Sequence, residues 1–392
     1  MPEAAVSQRR RALALLAAAE LLGMSVWFSA SALAPELRAQ WSLSAAAAGW
    51  LTSAVQLGFV TGTAVAAVLN LADVIPSRTL FALSALGAAA ANAALLLAGG
   101  FTPALGSRFL TGFFLAGVYP PAMKMIATWY RDGRGFAIGT IVGALTVGKA
   151  SPYFLRGLEH TRIAPVVLAA SAATALAGVL VFAAYRDGPF AFERRPFSWS
   201  LARTALAERP VRLAIGGYLG HMWELYAMWT WIAVFLESGA RFGPRAADLG
   251  GFAAIAVGGA GCVLGGLIAD RVGRARLTIW SMAVSGACAT VIGVTSRMPA
   301  VVLLVALVWG FAVVADSAQF SALVTELAPA HAVGTALTLQ TSLGFLLTMA
   351  SIQLVPHLVG MIGWRWAFAA LALGPALGIA AMRALPRVRT AG

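Results

Sequence analysis

Six ionisable side chains fall inside stretches that are otherwise apolar: Glu20, Arg108, Lys124, Lys149, Glu224 and Asp316. Charge in such surroundings is costly, and it is retained where it binds, pairs or moves protons. Three of the six are acids and three are bases, so the set is formally neutral. Lys149 and Glu224 fall near the middle of their stretches. A lysine so placed stays charged only beside an acid, an anionic solute or water. Lys149 is therefore the candidate anion contact, with Glu224 or Asp316 as the candidate proton carrier. A solute that replaces the acid as the lysine's partner would free that acid to take a proton. The plainer alternative for these three is a mutual structural ion pair. Glu20 reads as a further proton-coupling acid or as a tie between helices. Lys124, within about one turn of a helix end, reads as a contact or as a side chain snorkelling to the interface. Arg108 would draw anions at the outer mouth, or else bond backbone carbonyls.

The densest stretch is GYLGHMWELYAMWTW. His221 and Glu224 are three apart and share a helix face, so His221 is a candidate relay for a proton held by Glu224. Trp27, Tyr119, Trp223, Tyr226 and Trp309 are expected to shape the apolar part of a solute cavity. Trp229 and Trp231 are expected as interface anchors. Gln56, Gln319 and Gln340 each read equally as solute contacts or as helix-to-helix hydrogen bonds. Cys262 and Cys288 lie in apolar runs and form neither a disulfide framework nor a metal spacing. No nucleophile–base pair appears, so neither an enzyme nor a cofactor is expected.

The elements that must position these residues are membrane helices. The chain of 392 residues is 60% hydrophobic and 11% charged, with a mean hydropathy of +0.82. A soluble domain carries roughly 25% charge. The net charge of +13 is scattered over short loops rather than gathered in a basic tract, which excludes a nucleic-acid partner. Twelve apolar runs of spanning length occur, near 12–33, 46–70, 79–99, 105–128, 135–157, 164–184, 210–236, 249–269, 277–296, 301–325, 334–357 and 366–384. The first follows Arg9, Arg10 and Arg11 and is too long for a signal peptide, so it reads as a retained helix. The segment from Tyr185 to Pro210 reads as a linker, with a short surface helix at Ser200 to Glu208. Eighteen Lys and Arg residues fall on the side of the N-terminus and seven on the other. That asymmetry places both termini and the linker in the cytoplasm.

Between the eighth and ninth runs lies GLIADRVGRAR, with Gly266, Asp270, Arg271, Gly273 and Arg274 at fixed spacing. Gly266 lets two helices approach closely, and Asp270 can accept from the free N–H groups of a helix N-terminus. Gly273 permits a tight turn, and the arginines hold the loop at the anionic surface. A weakened copy, LNLADVIPSRT, lies 197 residues upstream and keeps Asp73, but has Leu69, Val74 and Pro76 where the other has glycine, arginine and glycine. Leu22-Gly23 and Leu219-Gly220 repeat at the same offset, and Arg134-Gly135 and Val333-Gly334 at 199.

The loop, its copy and the stretch Arg108-x-x-x-Gly112 with Gly117 resemble the major facilitator superfamily of transporters, over nearly the whole chain. The resemblance implies an all-α membrane protein of twelve transmembrane helices in two like-oriented halves. The boundaries are 1–184, a linker at 185–209, and 210–392. It implies that the first, fourth, seventh and tenth helices line a central cavity open to one side, and that Asp73 and the Gly266–Arg274 loop gate it. The end of the fourth helix, YPPAMKMIATWYRDGRGFAIG, looks like that of members carrying anions, with Pro120 and Pro121 to bend it and Trp129 and Tyr130 to anchor it. The Gly-Pro signature of drug–proton antiporters is absent from the fifth helix. The expected function is proton-coupled secondary transport of a small organic solute, a carboxylate-type anion, by a monomer in a bacterial inner membrane. The alternative is a proton-driven exporter of cationic or amphiphilic compounds. A non-transporting sensor would need large loops or tails.

Overall fold

The computed structural model describes residues 3–131, 133–159, 163–190, 198–329 and 331–385. They are helical throughout, with no strand among them. Joined across kinks, the elements make twelve rods: α1 (Glu3–Gly23), α2 (Ala45–Val68), α3 (Ser77–Leu97), α4 (Phe101–Ala127), α5 (Arg134–Glu159), α6 (Ile163–Ala184), α7 (Arg209–Val234), α8 (Pro244–Val272), α9 (Arg274–Val291), α10 (Pro299–Leu327), α11 (Val333–Ile362) and α12 (Trp364–Arg383). Eight are long and apolar enough to cross a membrane by length and composition alone. The other four, α1, α5, α7 and α9, each carry two or more charged residues. The expected linker helix is present as Trp199–Ala207.

Local chemistry sets the ends. Ser44 caps α2 by accepting from the Ala47 amide at 3.1 Å. Prolines open α8 and α10, where a missing N–H costs nothing. Gly273 joins α8 to α9 at φ +90°, a conformation that a side chain would strain. The rods then pack in a repeating pattern. Within the first six, α1 packs on α5 and α6, α2 on α4, and α3 on α6. Six rods later the same pairs recur as α7 with α11 and α12, α8 with α10, and α9 with α12. Two seams cross between the sets, α2 with α11 and α5 with α8.

Of the rods interrupted along their length, three bear on the site. After Gly23, α1 passes through a tight 3-10 turn at Met24–Val26 before resuming at Ser29–Ala32. The break in α4 falls after Leu115, just ahead of Pro120 and Pro121, as the prolines predict. In α10 it falls at Asp316. Backbone freed within a membrane must find partners in the protein, so these breaks mark where polar side chains gather.

Candidate functional site

Lys149 lies at the middle of the bundle and is 4% exposed. Its neighbour Gly148 lets the α5 backbone rest on the Leu21 carbonyl of α1, where a Cβ would collide. That contact brings Lys149 beside the segment that carries Glu20. The ammonium donates to Tyr226 Oη at 2.5 Å. It also stands 4.0 Å from the ring centroid of Trp27, 4.9 Å from Tyr226 and 5.7 Å from Trp229. Cation–π attraction of this kind strengthens when water is excluded. Among the described residues no carboxylate lies within ion-pairing distance of Lys149.

The rings around the lysine come from both sets of six rods. Trp27 and Phe28 (α1) and Phe59 (α2) meet Tyr226 and Trp229 (α7) and Phe345 (α11). Their centroids lie 4.7 to 6.1 Å apart. Several polar atoms on these same four rods are fully buried yet have no hydrogen-bond partner among the described residues. They are both carboxylate oxygens of Glu20, the indole nitrogens of Trp27 and Trp229, and both amide atoms of Gln56 and of Gln340. Such groups are rare in packed cores, because each costs roughly 1–3 kcal/mol when left unmade. Tyr119 is half-buried at the start of the second segment of α4. Trp229 and Trp231 are therefore not interface anchors: Trp229 walls the lysine, and Trp231 is buried, donating to the Ile352 carbonyl at 2.9 Å. Neighbours on α5 and α11 cover them, and hydropathy cannot register those neighbours.

The acids divide differently from expectation. Glu224 accepts from Ser285 Oγ and from Trp309 Nε1, both at 2.7 Å, and so faces α9 and α10. His221 pairs with Asp316, Nδ1 to Oδ1 at 2.9 Å, at the break in α10. The expected His221–Glu224 relay is replaced by two separate polar centres, because neighbouring helices outbid a same-helix partner three residues away. Neither Glu224 nor Asp316 pairs with Lys149. Trp223 turns to α12, where its Nε1 donates to the Ala370 carbonyl at 3.3 Å, and Trp309 packs on Phe368. Both therefore lie apart from the ring cluster around Lys149.

Arg108 does not sit at a mouth. It is fully buried and makes no ion pair among the described residues. One terminal nitrogen donates to Asn92 Oδ1 at 2.7 Å and Ser29 Oγ at 3.1 Å. The other donates to the carbonyls of Val26 at 2.9 Å and Trp27 at 2.6 Å. These last two belong to the broken turn of α1, so Arg108 clamps the backbone that aims Trp27 at the lysine. Asn92 is held in turn by Ser171 Oγ at 2.9 Å. Arg108→Leu would leave these acceptors buried and unpaired. The expected result is a melting temperature lower by roughly 5 °C or more in a thermal-shift measurement.

The two ends of the bundle carry further charge. On the face away from the start of α1, Arg156 of α5 donates from Nε to Glu36 Oε1 at 3.0 Å and from a terminal nitrogen to Asp248 of α8. This clasp was missed in the sequence because Arg156, at a helix end, reads as a loop charge. On the opposite face the contacts are made by Arg274. Its Nε meets Glu326 Oε1 at 2.6 Å, and a terminal nitrogen donates to Gln319 Oε1 at 2.8 Å, so Gln319 is a helix-to-helix contact. Asp270 lies 3.9 Å from Arg274, and Arg271 is exposed. Gly266 meets Gly135 closely, as expected, and Asp270 lies over the start of α5. Tyr130 is buried beneath Arg9, 3.9 Å from its guanidinium, instead of lying in the interface. Lys124 is half-buried near the end of α4. Asp73 falls in the short helix Leu71–Val74, and its side chain lies outside the described residues. Cys262 and Cys288 are free and buried.

A sequence model described as Major Facilitator Superfamily matches residues 15–352. The chain belongs to the major facilitator superfamily. This superfamily member is a multi-pass membrane protein of the transporter fold, built for transport by alternating access. Its fold is similar to the crystal structure of a bacterial homolog to the human lysosomal transporter Spinster, in an inward-facing and unoccupied conformation. The TM-score is 0.72 at 16% identity, covering 96% of this chain and 97% of that one. At such identity the likeness carries the fold alone. A search of curated proteins gives no match.

Proposed function

We propose that this superfamily member moves a small organic anion of carboxylate type together with protons, across a bacterial inner membrane, as a monomer. The observation that carries the reading is Lys149. It is a buried mid-bundle ammonium with, among the described residues, one oxygen acceptor and no carboxylate in pairing distance, and rings from both sets of six rods lie around it. An anionic group arriving there supplies the charge partner that the protein withholds. Glu20 takes over the coupling role first given to Glu224 or Asp316, because it adjoins the Leu21–Gly148 contact beside Lys149 and its oxygens are unpartnered among the described residues. A carboxylate seated on Lys149 would take up the attraction that the ammonium otherwise offers to an ionised Glu20, and so favour a proton on Glu20. Glu224 and the His221–Asp316 pair are candidates for a second proton position.

The mobile units in this proposal are residues 1–184 and 210–392, with 185–209 as a cytoplasmic linker and all twelve rods spanning. The recurrence of the same helix pairs six rods on supports that division. The arginine asymmetry supports cytoplasmic termini. The Arg156 clasp would then hold the outer side shut. A second reading, export of cationic or amphiphilic compounds, is favoured by the unpartnered Glu20 carboxylate among rings. Purified protein in liposomes decides between them. Accumulation of a carboxylate that follows an imposed pH gradient and collapses with a protonophore is expected. Accumulation of organic cations instead, with none of carboxylates, would overturn the anion reading.

A further inference from the structure

Resting on the anion reading above, we propose that the solute is a planar aromatic monocarboxylate. Its carboxylate would take Lys149, and its ring would slot among Trp27, Phe59, Tyr226 and Phe345.

The argument starts from the lysine's surroundings. Nζ has three N–H donors, and a single oxygen, Tyr226 Oη, accepts from it at 2.5 Å. Its other neighbours are ring faces, with centroids between 4.0 and 5.7 Å away. A carboxylate that reaches Nζ therefore brings the rest of its molecule against aromatic surface on every side. Trp27, Phe59, Tyr226 and Phe345 form a closed set, with centroid separations of 5.3 Å (Trp27–Phe59), 4.7 Å (Phe59–Phe345), 5.2 Å (Tyr226–Phe345) and 5.8 Å (Trp27–Tyr226). At these separations the rings touch one another; two belong to the first six rods and two to the last six, so the solute's ring would enter between the two pairs when the halves part. A flat ring entering it can make offset-stacked and edge contacts that a saturated ring of equal bulk cannot.

The polar groups fix the rest of the class. The indole N–H of Trp27 and the amide of Gln56 are buried without partners, and Gln56 stands three residues before Phe59 on the same helix face. These are donors for the second carboxylate oxygen or for a ring substituent. The formal charge decides the number of carboxylates. Lys149 and Glu20 balance one another, so one added negative charge is offset by one proton on Glu20. A second would be buried beside it unpaired, at large cost.

Thermal stabilisation of the purified full chain tests this, since a ligand that binds the native state raises its melting point. The probes are phenylacetate, cyclohexylacetate, acetate, phthalate and benzyltrimethylammonium. Phenylacetate is expected to half-saturate the shift at about tenfold lower concentration than cyclohexylacetate, with acetate and phthalate weaker still. Trp27→Leu should erase the preference for phenylacetate over cyclohexylacetate, whereas Trp27→Phe should keep it. Should Trp27→Leu not fold, Phe345→Leu makes the same test from the other half. Equal stabilisation by phenylacetate and cyclohexylacetate overturns the aromatic class while the anion reading stands. Stabilisation by phthalate at the phenylacetate concentration overturns the monocarboxylate. A shift with benzyltrimethylammonium alone, or with none of the probes, overturns both readings.

Discussion

Lys149→Gln is expected to weaken binding of the transported anion by at least about thirtyfold. Among the described residues the lysine is the one cation over the rings of this cluster, and truncating one member of a buried charge pair typically costs about 2–5 kcal/mol. At about 1.4 kcal/mol for each tenfold, that range spans roughly thirtyfold to several thousandfold. Glutamine keeps most of the length and one hydrogen bond to Tyr226, so the loss reads the charge and not the packing. Lys149→Arg keeps the charge, but its planar guanidinium does not fit a cage shaped around a compact ammonium, and an intermediate affinity is expected. Equilibrium binding to purified protein checks both. Unchanged affinity in Lys149→Gln would make the lysine a structural cation held by ring faces.

Glu20→Gln is expected to abolish accumulation against a gradient while leaving solute exchange near the parent rate. The substituted amide mimics the protonated acid permanently. It can neither attract Lys149 in the empty protein nor release a proton after solute departs. Exchange needs only the loaded carrier to reorient, so it survives, whereas net uptake requires the empty carrier to return. Counterflow and pH-driven uptake in the same liposomes separate the two. If Glu20→Gln accumulates solute normally while Glu224→Gln does not, the proton travels through the α7–α9–α10 centre instead.

These two residues show what could be read from one dimension. Charge inside apolar runs flags Lys149, Glu20, Glu224 and Asp316 at once, because membrane burial makes each of them costly. Gly266, Asp270 and Gly273 were legible for the same kind of reason: a close approach, a helix start and a positive φ each demand a residue type. Partners were not legible. Spacing within a helix joins His221 to Glu224, yet rods brought together by the fold give His221 to Asp316 and Glu224 to Ser285 and Trp309. Arg108 carried the opposite difficulty. Its charge suggested a ligand, but the acceptors it serves exist only because α1 breaks at Met24–Val26, which residue types alone do not announce.

The seam between α5 and α8 has a mechanical consequence. A Cβ placed at Gly143 would sit 2.7 Å from the Gly259 carbonyl oxygen, one at Gly139 2.7 Å from that of Cys262, and one at Gly135 3.2 Å from that of Gly266. For three successive turns the two rods touch backbone to backbone, and Thr146 and Val147 of α5 reach α8 only at the inner end of that contact, at Gly258 and Gly259. Such a surface is a fulcrum: one rod can tilt on the other with few knobs to lift from their holes. From Gly143 to Arg156 the lever arm is roughly 20 Å at the helical rise. A tilt of about 10° about that point carries Arg156 some 3 Å sideways, on the order of a hydrogen-bond length. Rocking on bare glycine is thus enough to unfasten Arg156 from Asp248 at one end while the middle of the seam never parts.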